Sequence, residues 1–277
     1  MGFGKKVSKA DSGSEVTVIR FDRKRITFRI MGETPFLFNR MGAKGIEAVF
    51  IPGAKMNRAE KASRLKHDPV AEFMDTFDSR DDCPTRLVIP STMIKGAIRS
   101  AAVDTEGTSK SEVGRLVYVV GDWISIYGVP KMHISVVRSA DQARTPDVRT
   151  RAVLPKWGAE FEVEFVSPRM NAKGIIALLF NAGITIGIGD YRPEKGRGQY
   201  GQFKIDAVDI DGESCCDPDF DKEWKALVKA GSRDAQDRGI NMAEPYDDNS
   251  RAMYDMFMSN IRKTGRENML KFPPKKK

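Results

Sequence analysis

The sequence predicts an α+β fold. Alternation with period two marks a strand at 25–31, apolar residues at helical spacing mark helices at 91–103 and from Asn171, and short strand-like segments lie between these helices. A β-α-β-β-α-β order of this kind is typical of the ferredoxin-like or RRM-type sheet. Two helices cover one face of such a sheet, and the other face is free to meet a ligand. A doubly wound parallel sheet would need more helices between the mid-chain strands.

Local signals predict each element in turn. Asp68 and Pro69 form an N-cap and first-turn proline for a short helix. The helix from Ser91 has an apolar stripe formed by Ile94, Ala97, Ile98 and Ala101. Asn171 caps a helix that is apolar nearly all round, so we expect it to be buried. Further strands are predicted at 86–90, 115–120, 132–138, 148–154, 159–166 and 202–208.

Helical character dominates after Asp211. Trp224 lies on the apolar face of a helix that ends near Gly231, and a second helix is predicted at 250–262. The predicted organisation is a mobile arm at 1–15, an RRM-like domain at 16–210 with insertions at about 40–85 and 130–150, and a helical extension with a basic tail at 211–277.

Composition excludes several classes of protein. Lys and Arg number 46 against 38 Asp and Glu, which gives a net charge of +8 and favours polyanions through counterion release. Three cysteines, two of them adjacent, cannot make a disulfide framework, and with only two histidines beside them we expect no zinc fold. Because no apolar run reaches the length of a membrane span and no signal peptide is evident, we expect a cytoplasmic protein without membrane contact. No metal or other cofactor is predicted.

A glycine-rich segment at 187–201 (GIGDYRPEKGRGQYG) is the most distinctive stretch. Glycine lets backbone N–H groups approach a phosphate closely, while nearby cations add charge and Tyr191 and Tyr200 offer faces for stacking. It matches neither a phosphate-binding P-loop nor a dinucleotide-binding fingerprint. A tight connection that needs glycine only for its turns explains the pattern equally well.

The helix at 91–103 is the second such stretch. Lys95 and Arg99 lie at i and i+4 on one face, where like charges repel each other unless a phosphate binds between them. The helix N-terminus at Ser91 also favours anions. A solvated basic face is the alternative. Trp157, after Lys156 at a strand turn, is a further candidate for stacking on a base.

Together these stretches resemble a known family. The segment IPSTMIKGAIRSA is similar to a helix motif, and GIGDYRPEKGRGQYGQF to the glycine-rich loop and following strand, of the RAMP superfamily of CRISPR-associated proteins. The resemblance covers about 25–208 and is greatest to the backbone subunit of multisubunit effector complexes. It implies that copies of the chain bind side by side along guide RNA and contact other effector subunits. Target DNA or RNA would pair with the guide. The resemblance also implies a thumb-like hairpin near 130–150.

The resemblance also implies which residues bind RNA. Lys95 and Arg99 match the helix motif, Gly187, Gly189, Gly196 and Gly198 match the loop, and two cations after the first strand are extrapolated from position. The full predicted set is Arg40, Lys44, Ser91, Lys95, Arg99, Gly187, Gly189, Arg192, Lys195, Gly196, Arg197, Gly198 and Tyr200.

No catalytic residue is predicted. Relatives that cleave RNA use an aspartate after the first strand, but 32–45 contains only Glu33 as an acid. His67 and His133 are the available general acids or bases, and both are expected to be structural. Two alternatives stay open: a RAMP-type endoribonuclease, and a basic structural protein without any RNA role.

Overall fold

The computed structural model describes residues 20–50, 65–138, 145–196, 198–214 and 216–272. The predicted arm at 1–15, Arg197 and most of the loop at 139–147 lie outside these ranges. Within them, no helix is both long enough and apolar enough to cross a membrane.

The chain alternates between strands and helices in an α+β arrangement. The strands are β1 (Asp22–Gly32), β2 (Phe36–Leu37), β3 (Asp78–Ser79), β4 (Leu87–Pro90), β5 (Val117–Val119), β6 (Trp123–Tyr127), β7 (Lys131–Arg138), β8 (Pro146–Leu154), β9 (Gly158–Ser167), β10 (Phe203–Ile210) and β11 (Glu213–Ser214). The α-helices are α1 (Ala43–Phe50), α2 (Pro69–Asp75), α3 (Ser91–Ala101), α4 (Lys110–Leu116), α5 (Ala172–Asn181), α6 (Pro218–Ala230), α7 (Arg233–Met242) and α8 (Asp248–Lys263).

The larger sheet has the order β11-β10-β1-β9-β6-β4-β3. Neighbouring strands within this sheet are antiparallel. Strands β5 and β6 both pair with the same edge of β9, but with different parts of it. Helix α3 lies in the chain between β1 and β5, and α5 lies between β9 and β10. This arrangement confirms the predicted α+β class with a ferredoxin-like sheet.

One face of this sheet forms the main core with α3 and α5. Alternate residues of β1 (Ile26, Phe28 and Ile30) join the predicted apolar stripe of α3 in one buried cluster. Helix α5 is capped by Asn171 as predicted, but it is not buried all round, because it lies on the outside of the sheet. Phe180 on its outer side is 52% exposed.

A second, smaller sheet has the order β2-β8-β7, in which β7 and β8 form an antiparallel hairpin. Along the described strands the chain changes sheet four times, and two of these connections, from β1 to β2 and from β8 to β9, lie together. Trp157 fills this junction: it is 1% exposed, packs on Phe36 and Phe203, and donates from Nε1 to the Thr34 carbonyl at 2.8 Å. Trp157 is therefore a core residue, and its burial rules it out as a candidate for stacking on a base.

The C-terminal helices hold both sheets. Trp224 of α6 packs on Met31 and Tyr127 at the other face of the large sheet. Gln236 of α7 is fully buried and spans two strands, since its side chain accepts from the Leu87 N–H at 3.0 Å and donates to the Ile126 carbonyl at 2.7 Å. The segment before α8 then pairs with β7 at Met132.

Candidate nucleic-acid interface

The two sequence motifs come together in space. Helix α3 and the glycine-rich loop line opposite sides of a cleft of about 360 Å³. The Ser100 hydroxyl of α3 donates to Glu194 Oε1 of the loop at 2.6 Å, so a hydrogen bond connects the two sides of the cleft. Gly96 leaves open space on the α3 side of the cleft, since an added Cβ there would meet nothing within 4 Å.

The loop holds its shape through its own backbone. Gly187, with φ +68°, donates its N–H to the Ala182 carbonyl at 2.8 Å, and Ile188 donates to the Gly201 carbonyl at 2.9 Å. Asp190 and Gly201 donate to carbonyls beside β2, at Leu37 and Pro35. These N–H groups therefore stabilise the loop and its contact with the small sheet rather than standing open to a phosphate.

The remaining loop glycines differ in their surroundings. A Cβ on Gly189 would press against the Leu37 carbonyl, and one on Gly198 would collide with the Tyr191 carbonyl. Gly196 has φ +74° but open space around it. Tight packing thus accounts for Gly189 and Gly198, and a role of the loop glycines in RNA binding stays a prediction.

The loop cations are not equivalent. Arg192 is paired with Glu194, to which it donates from Nε at 2.9 Å and from Nη2 at 2.7 Å. The hydrogen bond from Ser100, and then the charge of Arg192, lowers the pKa of Glu194, which keeps this acid ionised. Lys195 is exposed at the rim of the cleft. Of these two cations, Lys195 is the better placed to meet a polyanion.

The basic residues of α3 face away from the cleft, towards α4 and β5. Lys95 Nζ lies 4.8 Å from the centre of the Tyr118 ring, and Arg99 Nε donates to the Lys110 carbonyl at 3.3 Å. Ser91 at the helix start is buried, and its N–H donates to the Asp122 carbonyl at 2.9 Å. Lys95 and Arg99 thus form a basic edge on one side of α3, whereas that Ser91 N–H is already occupied.

Arg40 and Lys44 lie apart from the cleft. Arg40 pairs with Asp78 at 2.9 Å and contacts the Phe77 carbonyl, so its charge is balanced beside α2 and β3. The backbone of Lys44 belongs to α1, and its side chain is outside the described part of the chain. Neither residue lines the cleft between α3 and the loop.

The second face of the large sheet carries balanced charge. Arginines of β1 alternate with glutamates of β9 in pairs at 2.6–3.5 Å, which are Arg23–Glu164, Arg25–Glu162, Arg25–Glu164 and Arg29–Glu160. Helix α6 covers another part of this face, where Asp221 also pairs with Arg29 at 2.8 Å. The centre of this face was expected to be free for a ligand, yet it offers a polyanion no excess of positive charge.

A cluster of aromatic rings lies beside the glycine-rich loop. Tyr191, Tyr200 and Tyr246 line an open groove of about 690 Å³, and the His133 ring lies 6.3 Å from Tyr200 and 6.1 Å from Tyr246. The buried Arg151, opposite His133 in the hairpin, pairs with Asp190 at 3.0 Å. Three distant segments meet here: β7, the loop and the chain before α8.

Sequence reasoning found Tyr191 and Tyr200 but missed Tyr246 and Arg151. Tyr246 and Arg151 carry no local signal, because they reach the loop only through the tertiary fold. The proximity of His133 and Arg151 follows from the register of β7 and β8, which could have been derived from their alternation. Burial lowers the pKa of His133, so its ring is neutral at pH 7.

The other acids and bases considered for catalysis have structural surroundings. His67 lies between Glu72 at 2.9 Å and Asp147 at 3.0 Å, where it connects the start of α2 to β8. Glu33 is exposed after β1, and its N–H donates to the Gln202 carbonyl. Among the described residues, no group of three or more His, Cys, Asp or Glu could hold a metal ion.

No protein-family model matches this chain, and no curated protein matches it. Fifty-three chains of solved structures do match. One belongs to the cryo-EM structure of the type III-B Cmr-beta bound to cognate target RNA, with a TM-score of 0.37 and 14% sequence identity. The match covers 68% of this chain and 61% of that one, so this chain spans about three fifths of its length.

The first prediction separates loop glycines that packing requires from those that it does not. Gly201 and Gly196 both have φ +74°, but only Gly201 would place a Cβ against a carbonyl, that of Ile188. Gly196→Ala should cost about 1–2 kcal/mol of unfolding free energy from backbone strain alone. Gly201→Ala should cost clearly more in urea denaturation. Equal losses in the two variants would contradict this account of the loop.

The second prediction concerns acid stability. The folded state holds His133 neutral, because burial lowers its pKa. As the pH falls below the unfolded pKa of about 6.5, the unfolded chain binds a proton that the folded chain does not, so the free energy of unfolding decreases. Arg151 opposes protonation and Asp247 favours it, while the rings of Tyr200 and Tyr246 exclude water. When thermal melting is measured from about pH 7.5 down to about 5.5, the melting temperature of His133→Gln should therefore fall less than that of the wild type. Parallel pH profiles would show that His133 is not held neutral.

Proposed function

We propose that this protein is a non-catalytic RNA-binding subunit that assembles side by side along a guide RNA in an RNA-guided effector complex. The bound guide then pairs with target DNA or RNA, and other subunits complete the complex. The bases stay available for pairing because the protein holds mainly the phosphates.

One observation carries the proposal: the α3 motif and the glycine-rich loop lie side by side around one cleft. The two are far apart in the chain, yet Ser100 and Glu194 are in hydrogen-bond contact at 2.6 Å. Their meeting on a ferredoxin-like sheet supports the resemblance that each motif has to the RAMP superfamily. The net charge of +8 supports a polyanionic partner.

The distribution of charge suggests the path of the RNA. Lys95 and Arg99 form the basic edge of α3, and Lys195 lies across the cleft from Gly96. The Arg–Glu pairs at the centre of the sheet offer no net attraction. We therefore infer that RNA follows α3 and the rim of the loop and does not cross the centre of the sheet.

The same proposal assigns roles to larger segments. Residues 16–210 form the RAMP domain, and the β7–β8 hairpin is its thumb, which would bend the bound strand. The insertion at 40–85 lies within that domain. The extension at 211–277 contributes contacts to a neighbouring subunit in addition to holding the two sheets of its own chain.

The third prediction tests the basic edge of α3. Lys95→Ala with Arg99→Ala should weaken binding to an unstructured RNA oligonucleotide and reduce the slope of log K against log salt by about 1.4, because each lost phosphate contact removes about 0.7 for a single strand. Lys225→Ala with Lys229→Ala is a matched control on α6, where both residues are exposed. An unchanged slope in the α3 variant, or an equal change in the control, would refute the assigned face.

The fourth prediction tests the assembly. The protein purified from its expression host should elute as a large species with a high ratio of absorbance at 260 to 280 nm. RNase treatment should reduce it to a small species, and DNase should leave it unchanged. A small species free of nucleic acid that also fails to assemble on added RNA would contradict the proposed function.

A further inference from the structure

Tyr118 lies on β5 at the edge of the large sheet, and its ring meets cations from two other elements. Lys95 Nζ of α3 is 4.8 Å from the ring centre, and Arg23 Cζ of β1 is 5.7 Å from it. The side chain is 39% exposed, so the ring is accessible to a ligand. Two cations beside an exposed aromatic ring are a pattern that suits a stacked base with a phosphate on either side.

The position of the Tyr118 ring is fixed before any ligand binds. Its hydroxyl donates to the Arg115 carbonyl at 2.6 Å, and its backbone pairs with Glu164 of β9. A tyrosine has few side-chain torsions to immobilise, and here both its backbone and its hydroxyl are already held. Stacking on this ring would therefore cost little conformational entropy.

Arg23 is able to make room for a base. Its side chain is 70% exposed, and its nearest acid, Glu164, is 3.5 Å away and also pairs with Arg25 at 2.6 Å. Moving Arg23 away from the ring therefore costs little free energy, because its ion pair is exposed to solvent and Glu164 keeps its pair with Arg25. The freed guanidinium can then bind a phosphate.

We propose that Tyr118 is a stacking site for one unpaired base of bound RNA, with Lys95 and Arg23 placed for the phosphates on its two sides. The inference rests on the proposed RNA binding and extends it. The strand would leave α3 at Lys95 and pass over the sheet edge at β5. It would remain clear of the Arg–Glu pairs at the sheet centre.

The fifth prediction concerns the affinity of four variants for an unstructured RNA oligonucleotide, measured by fluorescence anisotropy. Tyr118→Leu and Tyr118→Ala should bind about 5- to 150-fold more weakly, the range expected for loss of one stacked base. Their salt slope should stay unchanged because no charge is removed. Tyr118→Phe should lose much less affinity than Tyr118→Leu, because the ring remains and only its hydroxyl bond to the Arg115 carbonyl is removed. Phe180→Ala, which removes an exposed ring from α5, is the matched control and should also bind normally.

A second measurement does not depend on the folding of a variant. RNA that contains 4-thiouridine, crosslinked to the wild-type protein, should give an adduct on the peptide that contains Tyr118. Normal binding by Tyr118→Leu, or the absence of that adduct, would overturn the inference. If the variant at Lys95 and Arg99 then still loses affinity, the proposed function stands and only the stacking site falls. If the wild type binds no RNA, both fall.

Discussion

Two of the connections between the large and the small sheet, from β1 to β2 and from β8 to β9, lie side by side, and Trp157 fills the space between them. Its carbonyl accepts from the Gly32 N–H at 2.8 Å, and its ring occupies the space where a side chain on Gly32 would lie. Phe36 of the small sheet and Phe203 of the large sheet pack on the same ring. This junction packs the two sheets against each other. It therefore positions the glycine-rich loop, which hydrogen bonds to the carbonyls of Pro35 and Leu37 beside β2.

Charge is placed unevenly on this framework. The arginines of β1 are balanced by the glutamates of β9 and by Asp221 of α6, so the centre of the sheet resembles an ordinary solvated surface. Lys95 and Arg99 instead contact an aromatic ring and a backbone carbonyl. A ligand phosphate could replace these contacts without breaking an ion pair, since neither residue forms one with another described residue. That difference favours the edge of α3 over the sheet centre as a surface for RNA.

Capping residues and apolar spacing in the sequence correctly predicted where several helices begin and which face of α3 is buried. Asp68 and Asn171 cap their helices, and the apolar stripe of α3 is buried as its spacing indicates. Helix α4 was missed although Ser109 and Glu112 follow the spacing of a capping box, and Ser109 does accept from the Glu112 N–H. Helix α7 offered little signal, because its key contact is a buried glutamine that bonds to distant strands.

The candidate site was predictable in its parts but not in its arrangement. The motif residues Lys95, Arg99 and Lys195 could be chosen from charge and spacing, whereas Tyr118 stands in a short strand with no motif around it. Ser91 and Arg40 look available in the sequence, but in the fold the Ser91 N–H donates to the Asp122 carbonyl and Arg40 pairs with Asp78. Their part in RNA binding stays a prediction. Only the tertiary fold shows which polar groups are occupied.

Hydrogen exchange followed by mass spectrometry, with and without a saturating unstructured RNA, tests the central claim most directly. If RNA follows α3 and the glycine-rich loop, protection should increase in peptides from 91–101 and 187–201 and stay unchanged in the centre of the sheet at 158–167. Increased protection confined to 158–167 and β1 would place RNA on the sheet centre and contradict the account.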